Sequence, residues 1–390
     1  MPGEGFENLT VDQREMRDLA RKVAKEVYAP KALEWDRGRV FLPAAEKRRL
    51  GDLGFLGISM PEEYGGSGRH IMDALVVLEE LAKECRPAAF QVFEANTGPA
   101  RALALLGPEH LKEMVLPGII SGETCMAVAI SEPDAGSAAT DMTTHVVDAG
   151  DHYLLNGTKR WISGGGKVDW YYTYCRFGDT PGAQGIGAVL VPATAEGVSF
   201  GAQETLMGFR GIPSADIYFD NVCVPKGNLI QEPGNFRRLF TGFSMERLGN
   251  ATMSLSIGQA ALDRSIAYVQ ERTQFGRPII EFQTLQTTLA DMLLRVEQAR
   301  ALVQQAAESA GTGLPDPLKV SLAKCSANEM AKVVTDLAIQ VHGGNGYTEE
   351  YGLERLHRDA HGWAIAGGTP AMQRTRIVSE LLGRTFTQRT

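Results

Sequence analysis

Near the C-terminus the chain reads WAIAGGTPAMQRTR, and four residues of that stretch have types and spacing that could do chemistry. Thr369 and Pro370 have the form of a helix start, a hydroxyl able to cap the first turn followed by a proline whose missing N–H costs nothing there. Gly367 and Gly368 stand just ahead, at the electropositive end of the expected helix, where backbone can hold an anion or a polarised carbonyl. The corner carries no acid or base of its own. A group that moves a proton there must come from elsewhere in the chain.

Other stretches suggest a planar, phosphate-bearing ligand. AISEPDAGS is a hydroxyl- and glycine-rich turn, and RWISGGG sets Trp161 and Ser163 beside backbone that can approach closely. ERTQFGRPIIEFQ gathers a cation, amides and an aromatic. Each stretch taken singly also has a purely structural reading. GAQGIGAVLV and HGGNGY are glycine-rich but lack the G-x-G-x-x-G spacing of a Rossmann turn, so they read as a hairpin turn and a helix C-cap. Glu349, Glu350, Glu354, Arg355, Arg358 and Asp359 cluster in sequence, and ion pairs that fasten the last helices account for them.

The elements that must position these residues fall into three regions. To about residue 120 the pattern is helical: Thr10 and Gln13 form a capping box, and Met16, Leu19, Val23 and Val27 repeat at helical spacing. SMPEEYGGSG interrupts it as a loop. Residues 121–232 read as a small antiparallel β-domain, with a hairpin expected at Asn156-Gly157 and strands in GIGAVLVPA and ADIYFDNVCVP. From 233 to 390 long helices return. Leu248, Leu255, Leu262 and Val269 recur with Ile266 between them, and two further periodic segments follow, as in an antiparallel four-helix bundle. The class is α+β, with domains 1–120, 121–232 and 233–390.

With 390 residues, 44% hydrophobic and 22% charged, the composition is that of an ordinary globular protein. A net charge of −8 without a basic run argues against a nucleic-acid surface. The first residues carry no apolar export core, and no apolar stretch approaches the roughly 20 residues of a membrane span, so a cytoplasmic location is expected. Cys85, Cys125, Cys175, Cys223 and Cys325 are odd in number and far apart, which reads as buried reduced thiols. There is no HExxH or GxSxG motif, and no metal is expected.

Taken together, PEEYGGSG, ISEPDAGS, NGTKRWIS, ERTQFGRPIIEFQ, QVHGGNGY, ERLHRDA and the terminal GGT resemble the acyl-CoA dehydrogenase family in order and spacing over nearly the whole chain. The resemblance implies a helical–β–helical flavoprotein, a homotetramer, with FAD between the β-domain and the C-terminal helices and partly against a neighbouring subunit. Ile130 and Ser131 are then expected at the flavin's polar edge, and Ser137 near the flavin or the CoA chain. Trp161 flanks the ring, with Ser163 hydrogen-bonding nearby. Arg272, Gln274 and Phe275 hold the diphosphate of the partner's FAD, an arginine and amides suiting phosphate oxygens. Gln283 and the run Gln340, Gly343, Gly344 complete the adenine side, and Thr369 lies against the dinucleotide.

The reaction so implied is α,β-dehydrogenation of a CoA thioester, with electrons passed to an electron-transferring flavoprotein. The substrate carbonyl needs donors such as the Gly367 N–H and a ribityl hydroxyl, and the base must be a carboxylate in a dry slot. Most members carry that glutamate directly before the final GT, where this chain has Gly367. A minority branch supplies it from the long helix in an ERL motif, which here places Glu246 as the base and Arg247 beside the substrate. Without the resemblance, Glu246 reads as a helix-start charge that suits the dipole.

Two other functions compete. Members with IAGGT at this corner and a base in neither position are sulfinoacyl-CoA desulfinases, in which a first-region arginine grips the sulfinate. That position is Phe90 here, and the nearby Arg86 reads as a solvated helix-end residue. The third reading is a catalytically silent scaffold. Phe90, Phe93 and Glu94 lie in the segment that usually floors the acyl pocket, where aromatics would favour short, branched or cyclic acyl groups or else simply fill the core. Glu94 facing the pocket would disfavour a terminal carboxylate.

Overall fold

Thr10 opens the first helix as its sequence marks it: its hydroxyl accepts from the Gln13 N–H and the Gln13 side chain accepts from the Thr10 N–H. A computed structural model describes residues 5–386; the first four residues of the stretch read for an export signal lie outside them. The N-terminal region is built of α1 (Val11–Val23), continued by a π-helical turn, then α2 (Ala29–Gly38), α3 (Ala44–Asp52), α4 (Ile71–Glu84), α5 (Arg86–Asn96), α6 (Pro99–Leu106) and α7 (Glu109–Ile120). The SMPEEYGGSG stretch lies between α3 and α4 as expected, with one short 3-10 turn.

The sheet region follows: β1 (Met126–Ala129), β2 (His145–Asp148), β3 (His152–Ser163), β4 (Trp170–Phe177), β5 (Ile186–Pro192), β6 (Val198–Phe200), β7 (Ser214–Pro225) and β8 (Leu229–Gln231). The strands are ordered β6-β7-β3-β2-β4-β5-β8, with β1 also against β4. Two expectations need correction. The sheet is mixed, since both β1 and β2 run parallel to β4. Asn156-Gly157 makes no hairpin turn: β3 runs straight through it, with a register shift against β7 between Leu155 and Gly157. Gly157 at φ +141° lies so near β2 that a Cβ would stand 2.6 Å from Thr144 Cα, so the glycine serves close strand contact rather than a turn. A second shift, between Lys159 and Ile162, carries Trp161.

The C-terminal region comprises α8 (Phe236–Glu271), a short hairpin of β9 (Thr273–Gln274) and β10 (Arg277–Pro278), α9 (Gln283–Glu308), α10 (Pro317–His342), α11 (Leu353–Ile365) and α12 (Pro370–Leu382). Leu248, Leu255, Leu262 and Val269 are sealed from water along α8, whereas Ile266 is 40% exposed and off that stripe. The buried face packs on α4, α9 and α10, so one core joins both helical regions and a second fills the sheet. Gly343 ends α10 at φ +58°, the C-cap expected of HGGNGY.

The late ion pairs tie the two ends of the chain together. Arg37 meets Glu349 at 2.9 Å and Arg358 meets Asp36 at 2.8 Å. Arg86 meets Asp359 at 2.9 Å with both side chains 3% exposed, which corrects its expected solvated position. Cys85, Cys125, Cys175 and Cys325 are buried free thiols; Cys223, on an outward position of β7, is exposed. Among the described residues no helix is long and apolar enough to cross a membrane.

Candidate active site

Gly367 and Gly368 form the link between α11 and α12, and both take positive φ, +66° and +93°. Only backbone without a Cβ adopts such a pair cheaply, and the result is a tight corner whose carbonyls turn into the protein. The Gly367 carbonyl accepts from Arg247 Nε at 3.2 Å, and the Gly368 carbonyl accepts from Lys324 Nζ at 2.9 Å and Gln373 Nε2 at 3.1 Å. No hydrogen bond of the described residues takes up the Gly367 N–H. Thr369 caps α12 through its hydroxyl, which accepts from the Met372 N–H at 3.4 Å, and Pro370 fills the first helical position.

Across this corner stands Glu246 on α8. A methyl group built on Gly367 would lie 3.5 Å from Glu246 Oε1, 3.5 Å from Lys324 Cε and 3.8 Å from Asn250 Nδ2. Asn250, one helical turn beyond Glu246, donates to the carbonyls of Trp363 at 3.1 Å and Ala366 at 3.3 Å. Asn328 of α10 donates to Asn250 Oδ1 at 2.9 Å and to Ser254 Oγ at 2.7 Å, and accepts from Lys324 at 2.9 Å. A polar net thus fixes the corner relative to Glu246 from α8 and α10 at once.

Burial pushes the Glu246 carboxyl up to about 7, against the opposing pull of Arg247 and Lys324. Burial also lowers Lys324 to about 7, with Arg247 adding to the effect and Glu246 opposing it. Tyr174 of β4 faces the same charges and is held well above the ordinary phenol range, first by burial and then by Tyr172 and Glu246. Glu94 of α5 is raised too, by burial and by the Glu246 carboxyl. Two carboxyl groups therefore share one dry region, and burial raises both.

Phe90 and Phe93 are 5% and 3% exposed and stack at 5.8 Å. Both meet Trp363, Phe93 edge-on at 5.3 Å. They form a fixed aromatic wall between α5 and α11.

The residues expected to meet a planar ring gather at the second β3 irregularity. Trp161 is 53% exposed and holds φ +61°, a strained value for a bulky residue, with the Arg160 guanidinium 4.5 Å over its ring. Arg160 N–H donates to the Ser131 carbonyl at 2.8 Å and Lys159 Nζ to the Ile130 carbonyl at 3.0 Å, so the end of β1 is pinned beside Trp161. Ser163 closes β3 opposite Ser214, and Ser137 is exposed in the loop between β1 and β2. The Arg272, Gln274 and Phe275 group lies elsewhere. It sits past the far end of α8, roughly 40 Å of helix from Glu246. Phe275 is 92% exposed at the tip of the β9–β10 hairpin, with Gln283, Gln340, Gly343 and Gly344 exposed at the same end of the helical region.

Three family models cover the chain: the acyl-CoA dehydrogenase N-terminal domain over residues 10–123, the middle domain over 127–222 and the C-terminal domain over 236–382. The chain belongs to the acyl-CoA dehydrogenase family. Within it, the chain is 38% identical to 3-sulfinopropanoyl-CoA desulfinase of Cupriavidus necator over 96% of each sequence. It is 35% identical to acryloyl-CoA reductase (NADH) of Anaerotignum propionicum over 97% of this chain and 96% of that one. Butyryl-CoA dehydrogenase of Megasphaera elsdenii superposes with a TM-score of 0.92 at 32% identity, over 96% of this chain and 99% of the other.

Sequence reasoning missed Lys324, Asn328 and Asn250 as parts of this polar net. The signal was present, since Lys324 and Asn328 fall four apart on the buried stripe of α10 that Val320 and Ala331 share. A charged residue on an otherwise apolar helical face needs a partner, and only the fold names it. Arg247 donates to the Gly367 carbonyl and is 4% exposed.

Proposed function

We propose that this chain is an FAD-dependent acyl-CoA dehydrogenase in which Glu246 removes the α-proton of a short, branched or cyclic acyl-CoA. The placement of Glu246 Oε1 beside Gly367, at the position where other members carry the glutamate on the loop itself, carries this reading. The Gly367 N–H is a preorganised donor for the thioester carbonyl, which acidifies the α-carbon. Arg247, Lys324 and Gln373 hold the corner still while that charge develops. Glu94 is raised by burial and by the Glu246 carboxyl, and burial also raises Glu246.

The cofactor is FAD, and the residues present fit it. Trp161 offers an exposed indole on strained backbone, next to the pinned Ile130–Ser131 carbonyls and Ser163, as a planar ring requires. When bound, FAD supplies the acceptor for the hydride that leaves the β-carbon. Arg272, Gln274, Phe275, Gln283 and Gln340 to Gly344 stand too far along α8 to serve the same ring, so in our reading they serve the FAD of a neighbouring subunit in a homotetramer. Electrons then pass to an electron-transferring flavoprotein, in a cytoplasmic enzyme organised as 1–120, 121–232 and 233–390.

Desulfination of a sulfinoacyl-CoA is the second reading, favoured by the similarity to the Cupriavidus enzyme. Against it, Phe90 fills the position of the sulfinate-gripping arginine, and Arg86 is committed to Asp359. The deciding experiment loads the protein with FAD and adds a panel of CoA thioesters. Flavin bleaching with enoyl-CoA formation supports dehydrogenation, and its loss in Glu246→Gln supports the base. Sulfite release from 3-sulfinopropanoyl-CoA without net flavin reduction would replace this reading with the second.

A further inference from the structure

Arg355, the third residue of α11, is 7% exposed, and its guanidinium has no hydrogen-bond or ion-pair partner among the described residues. Sealing a permanent charge and its fork of N–H donors from water without an acceptor is costly. Burial first, and then the charges of Arg86 on α5 and Arg264 on α8, lower Arg355 to about 9. The carboxylates that oppose them are already committed. Asp359 serves Arg86 at 2.9 Å and the Phe209 N–H at 2.7 Å, and Asp36 serves Arg358 at 2.8 Å and Arg210 at 3.6 Å. Arg86 Nη1 is sealed and unpartnered too. Cys85 lies near both Arg86 and Arg355, but burial pushes its thiol up, so it supplies no anion. Glu84 and Asp263 act on Arg264 instead, with which they line a cavity of about 240 Å³ that Lys25 and Lys83 share.

Arg264 and Arg355 converge on the start of α11. A Cβ on Gly352, the cap residue, would lie 3.0 Å from Arg264 Nη1 and 3.8 Å from Arg355 Nη2. Gly352 holds φ +63° and offers no side chain to cap the helix. Gly352, Leu353 and Arg355 are all buried, and the N–H groups of Leu353, Glu354 and Arg355 meet no acceptor among the described residues. Helix starts normally give such donors to water or to a capping oxygen. Here a buried start and a buried guanidinium direct unused donors at one place. Arg264 itself donates only to the Tyr351 carbonyl, at 3.2 Å.

We infer that the start of α11 is an anion site, which takes a small inorganic anion of the chloride or phosphate kind. Arg355, Arg264 and the first N–H groups of α11 hold it, Arg86 adds its charge, and the helix dipole favours it. Arg264 stands about five turns of α8 away from Glu246, so this is not the reaction site. The anion joins α11 to α5 and α8, the helices that carry the Gly367 corner, the aromatic wall and Glu246. The inference stands whichever reaction that site performs.

The test unfolds the FAD-loaded protein by heat at fixed ionic strength in sodium gluconate, with chloride or phosphate replacing part of the gluconate. The midpoint should rise by about 2 °C or more as the smaller anion saturates the site. Whichever anion acts at the lower concentration is the better occupant. Arg355→Met should abolish the rise. In gluconate alone it should be at least as stable as the unmutated protein, because it removes a buried charge that has no partner in the chain. An arginine that only holds the fold together would instead lower the midpoint in every salt. Arg264→Met, which keeps Arg355 should that variant fail to fold, should raise the anion concentration at half effect about 10-fold. Bromide soaked into crystals of the holoenzyme should give an anomalous peak at the start of α11. A midpoint equal in all three salts overturns the inference. So does a rise that Arg355→Met retains, or a carboxylate of a neighbouring subunit seated on Arg355 in the crystal.

Discussion

Glu246 on α8 and Gly367 in the α11–α12 corner meet so closely that the space a side chain at 367 would begin to fill is bounded by Glu246 Oε1 at 3.5 Å. A carboxylate from the long helix thus occupies the room that the missing loop side chain leaves. Replacing Glu246 by glutamine keeps the shape and removes the proposed base. Turnover should fall by about 10²-fold to 10⁴-fold, the usual contribution of a positioned general base. The flavin content of the purified variant should equal that of the unmutated enzyme. Stopped-flow reduction at undiminished rate would take Glu246 out of the mechanism.

The proposed base must be ionised to act, so the rate of flavin reduction should rise with pH through a limb centred near the Glu246 value of about 7. Below it the carboxyl is protonated and idle; above it the limb is flat until another group titrates. A limb near the ordinary glutamate range would mean that Glu246 is solvated during catalysis.

Lys324 lowers Glu246 from α10, alongside Arg247 from α8. Burial and the Glu246 carboxyl raise Glu94, and Tyr174 beside Glu246 is held well above the ordinary phenol range, first by burial. Removing the cation in Lys324→Met should move the rising limb up by about one unit, because a neighbouring positive charge favours the carboxylate. Lys324→Arg should restore most of the position. A fall in rate with the limb unmoved would assign Lys324 to holding the Gly368 carbonyl alone.

Gly367→Ala places a Cβ at ordinary contact distance from Glu246 but forces φ +66° on an L-residue. The expected cost is about 1–2 kcal/mol of stability, read as a lower denaturant midpoint with unchanged slope. Loss of activity should follow the shifted corner, whose N–H no longer meets the thioester.

Arg86 and Asp359 form a buried pair, and Asp359 also accepts from the Phe209 N–H at 2.7 Å. Arg86→Met leaves that carboxylate uncompensated and should cost about 3–5 kcal/mol, seen in chemical unfolding. The affinity for sulfinate-bearing esters should not change; a selective loss of it would place Arg86 at the substrate site.

The order of helical, strand and helical regions was legible in the chain because periodicity and caps are local signals. Thr10–Gln13, Thr369–Pro370 and the leucine stripe of α8 each carry their own geometry within a few residues. Asn156-Gly157 misled for the same reason: a dipeptide that favours a turn in isolation was overruled by the Thr144 backbone packed against it. The exposure of Cys223 and the burial of Arg86 likewise depend on which face meets a neighbour, and no local spacing encodes that.

By itself the sequence determined the family, the vacancy at Gly367 and a candidate carboxylate in the ERL motif, since residue identity and order suffice for these. Tertiary structure alone decided that Glu246 fills the vacancy, that Lys324, Asn328 and Asn250 hold the corner, and that Glu94 stands unpaired nearby. The physical reason is that proton affinity and hydrogen-bond satisfaction depend on burial and on partners about 120 residues away in the chain, as Arg247 and Gly367 are.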